Sequence, residues 1–314
     1  MKYLPISVLI PTMNRPEALE RTLNTYLRAE SLPTEIVIVD QSENKEVQNQ
    51  IIDIIKCYSV ETKIVYFYQD LPSLTMARNR AVTLATENIL VFSDDDIDVY
   101  SDTLEIVHLL MSEANIALIA ATNDNFQSKK SYIGYILGTK SFKKRKIGHV
   151  TNSMLGRYPD HIVGQVDTQW AMGYFFAVKK HLIDAWNIRW DENLTEYAYA
   201  EDLDFSYSYY KKAKESSMRC ILDDRLHVKH MVSTEYRVPS KKRTYMYVIN
   251  RAYLSYKHNM GRKAYFMMKW CNFWITINRA THHENPEYMR NATKLVQKYK
   301  KNVMGGELNE LYKE

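Results

Sequence analysis

Apolar residues in the first 122 positions fall into short blocks separated by stretches of helical spacing. Ile6–Ile10 is an apolar block closed by Pro11, and Ile36, Val37, Ile38 and Val39 form a continuous run between Glu35 and Asp40. Continuous rather than alternating runs are what strands buried on both faces require. Lys63–Tyr68 and Ile89–Phe92 supply two more strands rich in β-branched and aromatic residues. Between the strands, Leu19, Leu23 and Leu27 form one stripe within Pro16–Arg28, Ile51, Ile52 and Ile55 another, and Leu74–Ala85 reads as a third helix. Thr103–Ser112 and Ile116–Ala121 add one more helix and strand. This alternation predicts an open parallel sheet with helices on both faces, which binds ligands beyond the carboxyl ends of its strands.

The pattern weakens over residues 125–165, which include a basic cluster at Lys140–Lys146 and read as a mobile loop region. Mixed structure returns over 170–232, and from about 241 the chain is helical and basic. The expected division is a nucleotide-binding and catalytic domain over 1–235 and a helical extension over 236–314.

The strand ends carry the chemistry. Strand one runs into Pro11, Thr12, Met13, Asn14, Arg15 and Pro16, strand two ends at Asp40, and strand four runs directly into Asp94, Asp95 and Asp96. Three consecutive carboxylates repel one another and need a cation or full solvation, and Mg²⁺ or Mn²⁺ would supply the charge while keeping phosphate oxygens as further ligands. Asp40 could accept the imide N–H of a pyrimidine, and Thr12 and Asn14 offer groups to a ribose or base. Arg78 lies early in the third helix, where it could contact a diphosphate. Glu201 and Asp202 open another helix; two adjacent acids in a dry cleft cannot both ionise cheaply, so one is raised toward the range of a useful base. His227 and His230 are three apart on a strand-like run, so at most one faces the site.

No G-x-G-x-x-G follows strand one, and neither a P-loop nor a G-x-S-x-G occurs anywhere, which weakens dehydrogenase, P-loop and elbow-type hydrolase readings. The three cysteines, Cys57, Cys220 and Cys271, have neither zinc nor disulfide spacing, which favours a reducing cytoplasm. The brief apolar run at the N-terminus reads as a strand rather than a leader.

Taken in order, these residues resemble the family-2 glycosyltransferases with the type-A fold, from Ile6 to about Ser233. The string Ala77-Arg78-Asn79, an apolar strand, and then Asp94-Asp95-Asp96-Ile97 is similar to the family's Ala-Arg-Asn helix and its Asp-x-Asp metal motif. The resemblance implies a Rossmann-like, mostly parallel sheet flanked by helices and followed by a C-terminal helical extension. It implies that Asp96, with Asp94 nearby, holds Mn²⁺ or Mg²⁺ on a donor diphosphate, a reading centred on Asp95 remaining open, and that His230 joins the metal. Pro11, Thr12, Asn14, Arg15, Asp40, Arg78, Asp94 and Asp95 match nucleotide-binding positions. Gly173 and Trp190 match positions near the donor sugar and acceptor, and Asp202, beside Glu201, matches the catalytic base. Ser73 stands where the family usually has Gly. The Gln-x-x-Arg-Trp motif of processive synthases is missing after Asp202, which points to transfer of one sugar; the resemblance implies inverting transfer from a UDP-sugar to a glycan or lipid-linked acceptor in bacterial surface polysaccharide assembly. The rivals are a sugar-nucleotide pyrophosphorylase, which would need a Gly-rich loop in place of Pro11–Pro16, and a non-catalytic binder of nucleotide sugars.

Charge separates the two halves. Residues 241–314 hold 15 Lys/Arg against 5 Asp/Glu, while the first 240 hold 27 against 32. Within Lys263–Arg279, Trp270, Phe273, Trp274 and Ile277 form an aromatic stripe, and Lys269, Asn272, Thr276 and Arg279 a polar one. The aromatic stripe is expected to pack against the catalytic domain or a partner subunit, with an interfacial helix on the inner face of the membrane as the alternative. Nucleic acid is not expected, since no recognition motif accompanies the charge, and a homo-oligomer is left open.

Overall fold

The computed structural model describes residues 2–124, 136–137, 147–159, 162–231, 239–281 and 285–313. The first half alternates β1 (Lys2–Thr12), α1 (Pro16–Leu27), β2 (Ser31–Asp40), α2 (Lys45–Tyr58), β3 (Lys63–Tyr68), α3 (Leu74–Leu84), β4 (Ile89–Ser93), β5 (Ile97–Asp98), α4 (Thr103–Met111) and β6 (Ile116–Asn123). Apart from β5, these are the elements expected from the hydrophobic pattern, with ends shifted by a few residues.

β3, β2, β1 and β4 lie side by side and parallel. Thr12 pairs with Asp40, and Asp40 with Tyr68, so the polar strand ends share one edge of the sheet. The next neighbour is not β6 but β10 (Phe175–Lys179), which inserts antiparallel between β4 and β6. The sheet is mostly parallel, as expected, with β10 as an antiparallel insertion: a strand entering from a distant segment has no helical crossover to enforce the parallel direction. Its antiparallel run brings Phe175 opposite Ser93, and so sets Gly173 and Tyr174 beside the acid triplet. β11 (Arg219–His230) runs parallel to β6 and then pairs with β5, setting His230 opposite Ile97.

Residues 125–135 and 138–146, including Lys140–Lys146, lie outside the described residues, as does the expected boundary at 235/236. The rest of the expected loop region is not all loop: β7 (His149–Val150) and β8 (Gly156–Arg157) pair with each other, and β9 (Gln165–Asp167) pairs with β11.

Successive strand residues feed opposite faces. Val8 and Ile10 pack with Leu19 and Leu23 of α1 and Leu104 of α4. Leu9 and Phe92 face the other layer, with Phe176, Trp190 and Phe205. There Trp190 stacks on Phe205 at 4.3 Å and Phe92 on Phe176 at 4.8 Å. After α5 (Lys180–Ala185), that layer is completed by α6 (Glu201–Glu215) and by α7 (Ser240–Lys257), whose Ile249, Ala252 and Leu254 join the same cluster.

The helices after α7 correct the sequence reading. α8 (Arg262–Thr281) buries Ala264, Met268, Cys271, Asn272 and Thr276, whereas Trp270, Phe273 and Ile277 of the aromatic stripe are exposed. The cause is Arg251 of α7. Its guanidinium is fully buried, donates twice to the Ser153 carbonyl at 2.8 and 2.6 Å, and donates to Asn272 at 3.1 Å. Arg279 likewise donates to Thr244 at 2.9 Å. A buried cation needs polar partners more than it needs aromatic contact, so Asn272, Thr276 and Arg279 of the polar stripe turn inward while Lys269 stays exposed. α9 (Glu287–Lys298) and α10 (Lys300–Gly305) close over this pair.

A second polar tie fastens α7 to α6. Asp204 accepts from Lys257 at 2.7 Å and His258 at 2.8 Å, and Lys257 also donates to Asp191 at 2.7 Å. Lys211 donates to the other nitrogen of His258 at 2.9 Å; lysine has no acceptor, so Nε2 carries the proton toward Asp204. Asp204→Ala should therefore strand the buried His258 donor, leave the exposed Lys257 with Asp191 alone, and lower unfolding stability by on the order of 2 kcal/mol, read as a shift of the urea midpoint. An unchanged midpoint would mean that the tie contributes nothing.

Candidate functional site

The acid triplet leaves β4 in a tight turn that sends neighbouring carboxylates in different directions. Asp95 turns into the protein, accepting from Thr12 at 2.7 Å and Arg15 at 2.9 Å, while its carbonyl accepts from Thr22 at 2.8 Å. Burial, assisted by Asp96 and Asp94 against the pull of Arg15, pushes Asp95 up to about 7. Asp94 and Asp96 turn the other way and meet His230: ligating atoms of these three lie within 4.8 Å of one another. His230 Nε2 is 3.2 Å from Asp96, and its ring stacks on Tyr174 at 5.2 Å. Burial alone would lower this imidazole, but the Asp96 hydrogen bond and both carboxylates raise it. Two hard carboxylates and one imidazole form a donor set suited to Mn²⁺ or Mg²⁺. His227, three residues earlier, packs instead against Tyr100 at 4.9 Å.

Arg78 joins this cluster to the second pair of acids. It is 2 % exposed, and its guanidinium lies 4.5 Å over the Trp190 ring. Nη2 donates to Asp94 and to the Gly173 carbonyl, each at 3.1 Å, and Nη1 is 3.1 Å from Glu201. Asn79 alongside makes a reciprocal pair with the Trp190 backbone, donating at 3.0 Å and accepting at 2.9 Å. The Ala-Arg-Asn segment thus fixes the loop at Trp190 twice, by stacking and by hydrogen bonds. Trp190 itself is buried beneath Arg78.

Asp202 is half-buried and accepts from the backbone N–H groups of Gly173 at 2.9 Å and Leu203 at 2.7 Å. A Cβ on Gly173 would meet Asp202 Cβ at 3.0 Å and Arg78 at 3.3 Å, so the glycine permits this close approach. Burial raises Asp202, and burial together with the Asp202 charge raises Glu201 to about 8 despite Arg78.

Pro11 and Thr12 are buried at the end of β1. Asn14 takes a left-handed φ of 57°, and its N–H donates to Ser42 at 2.9 Å. Its side-chain oxygen is buried with no donor among the described residues. Asp40 is buried and accepts from the Ser42 N–H at 2.8 Å and Tyr66 at 2.9 Å, leaving one lone pair on each oxygen. Ser73, where a glycine was usual, has an extended φ of −161° and caps α3, so no glycine is needed there. Tyr66, Thr22, Tyr174 and Asn79 also shape the site and were not singled out beforehand. Only Asn79, inside the Ala-Arg-Asn string, carried a signal; the others are ordinary residues made relevant by strand register.

The glycosyl transferase family 2 model matches residues 7–182. The chain belongs to that family. Among solved structures, S. aureus TarS matches at 19 % identity over 80 % of this chain, with a TM-score of 0.51, and this chain spans 39 % of its length. The mannosyltransferase PcManGT from Pyrobaculum calidifontis, in complex with GDP-Man and Mn²⁺, matches at 13 % identity over 98 % of this chain and 84 % of its own, with a TM-score of 0.54. GalNAc-T7 with UDP, GalNAc and Mn²⁺ matches at 14 % identity over 96 % of this chain and 58 % of its own, with a TM-score of 0.57. These likenesses establish the type-A glycosyltransferase fold. No curated protein matches the sequence.

In this family member the raised Glu201 gives a sign to pH dependence. The acid rises from 4.5 to about 8 on folding, so the folded chain keeps a proton that the unfolded chain has lost, and this contribution to stability declines as pH rises across that window. Glu201→Gln mimics the protonated form. Under chelator, its melting temperature should fall less between pH 6 and 8 than that of the parent chain; parallel curves would refute the shift.

Proposed function

We propose that this chain is an inverting, metal-dependent glycosyltransferase that moves one sugar from a nucleotide diphosphate, UDP in the first instance, to an acceptor hydroxyl. The observation that carries the reading is the meeting of Asp94, Asp96 and His230 at one end of Arg78, with Glu201 and Asp202 at the other. On this reading Asp96 and His230, with Asp94, hold Mn²⁺ or Mg²⁺, and Asp94-Asp95-Asp96 serves as the Asp-x-Asp motif. When bound, such an ion supplies positive charge against the leaving diphosphate. Asp95 braces the turn through Thr12 and Arg15, and the unsatisfied oxygen of Asn14 with the free lone pairs of Asp40 serves the nucleoside.

Asp202 is the general base. The acceptor oxygen attacks the anomeric carbon, the bond from that carbon to the diphosphate oxygen breaks, and the hydroxyl proton passes to the Asp202 carboxylate. One displacement inverts the centre. The Gly173 and Leu203 N–H groups orient the carboxylate, and Glu201, paired with Arg78, stays protonated at neutral pH and so spares Asp202 an adjacent charge. Gly173 lines the sugar side, and Trp190 acts through Arg78. Residues 1–235 would carry donor and base, and 236–314 would brace them. Assembly of a bacterial surface glycan, on a glycan or lipid-linked acceptor, is the setting we propose; the missing processive motif supports the transfer of one sugar. Family membership sets the pyrophosphorylase aside.

Asp202→Asn keeps one of two backbone acceptors and should retain donor binding while turnover falls about 10²-fold or more. Wild-type turnover in a product assay across UDP- and GDP-sugars would remove Asp202 from the role. Asp96→Ala should abolish Mn²⁺-dependent binding of UDP in calorimetry; titrations that superimpose on the parent chain would dismiss the metal site. Donor binding without product from any acceptor would favour the non-catalytic alternative.

A further inference from the structure

We propose that the outer face of α8 docks on an anionic phospholipid surface, lying in its interface without crossing it. Phe266, Trp270, Phe273 and Ile277 recur at spacings of four, three and four, which aligns them along one line of the helix. They are 66 %, 36 %, 55 % and 38 % exposed. Trp270 donates its indole N–H to the carbonyl of Ile136 at 3.0 Å, and Ile136 is itself exposed, so a further apolar side chain adjoins the line.

The rims of this face are cationic. Exposed Lys263 flanks the line on one side, and exposed Arg262 and Lys269 flank it on the other. The 20 residues of α8 contain no Asp or Glu. An aromatic line between lysines fits the boundary of an anionic bilayer, where rings enter the headgroup region and long cationic side chains reach its charge. A second copy of this chain fits poorly: α8 laid on itself across a twofold axis would set cation against cation with no acid on either helix to pair them. The inward polar stripe closes the remaining route, since Asn272 and Thr276 are already committed to the fold. No helix among the described residues is long and apolar enough to cross a membrane.

The inference stands apart from the chemistry proposed above, because none of these side chains touches the acid clusters. The test is co-sedimentation of the full chain with vesicles of phosphatidylcholine alone and with one part in three of phosphatidylglycerol. Sedimentation with the anionic vesicles is expected, falling with added salt. Phe266→Ser with Phe273→Ser, both exposed, should lower the partition coefficient about tenfold or more, with Mn²⁺-dependent UDP binding unchanged. Lys263→Glu with Lys269→Glu should lower it on the anionic vesicles and leave the neutral background as it was, which keeps the test decisive if the first variant folds poorly. Equal sedimentation with both vesicle types, or no response to either variant, would overturn the proposal. So would a lipid-independent dimer, seen by sedimentation velocity, that the Phe variant dissociates.

Discussion

A single guanidinium holds the two acidic ends of this site together. Arg78 is removed from water and set between Asp94 and Glu201, with the Gly173 carbonyl and the Trp190 ring filling its remaining sides. Removing a cation from water is costly unless carboxylates, carbonyls and an aromatic face replace the lost hydration. The same exchange works in the other direction. Asp94, Glu201 and Asp202 are pushed upward by burial, and the Arg78 charge opposes that rise at each of them. The Asp94 end and the Glu201-Asp202 end are therefore one electrostatic unit, held in register by the reciprocal Asn79–Trp190 pair on the adjoining helical position.

The segment that delivers Glu201 and Asp202 is strained and externally supported. Glu196, Ala198 and Ala200 all take left-handed φ values, of 57°, 49° and 69°, without being glycine. Such conformations persist only where surrounding contacts over-determine them. Here Leu74 N–H donates to the Glu196 carbonyl at 3.1 Å, Thr75 to the Leu194 carbonyl at 2.9 Å, and Asn250 to the Tyr199 carbonyl at 2.9 Å. Tyr312 in turn donates to Asn250. The helices after residue 240 thus reach the acid pair through backbone carbonyls, which is a positioning role. Lys257, shared by Asp191 and Asp204, draws the start of the same segment against α6 and α7.

The C-terminal helices also show how one buried charge can invert an amphipathic pattern. Arg251 and Thr244 of α7 present a donor and an acceptor to α8, and Asn272 and Arg279 answer them. Satisfying a buried guanidinium outweighs the gain from covering a few aromatic rings, each worth about 1.5–3 kcal/mol if fully buried. The rings are left outward between cationic rims as a consequence.

Local pattern was enough for the strands and helices of the first half, since period-two and period-3.6 burial are written directly into the order of apolar residues. It also placed the acid triplet at a strand end, Arg78 early in a helix and Glu201-Asp202 at a helix start, whereas Asn79 and the choice of His230 over His227 came from the family resemblance. The tertiary structure decided what depends on residues far apart in sequence. It inserted β10 antiparallel beside β4, turned Asp95 away from Asp94 and Asp96, enclosed Asp40 with Tyr66 and Trp190 beneath Arg78, and chose the polar face of α8 as the packed one. Each of these is set by which distant group satisfies a buried charge or an open strand edge, and no window of consecutive residues contains that partner.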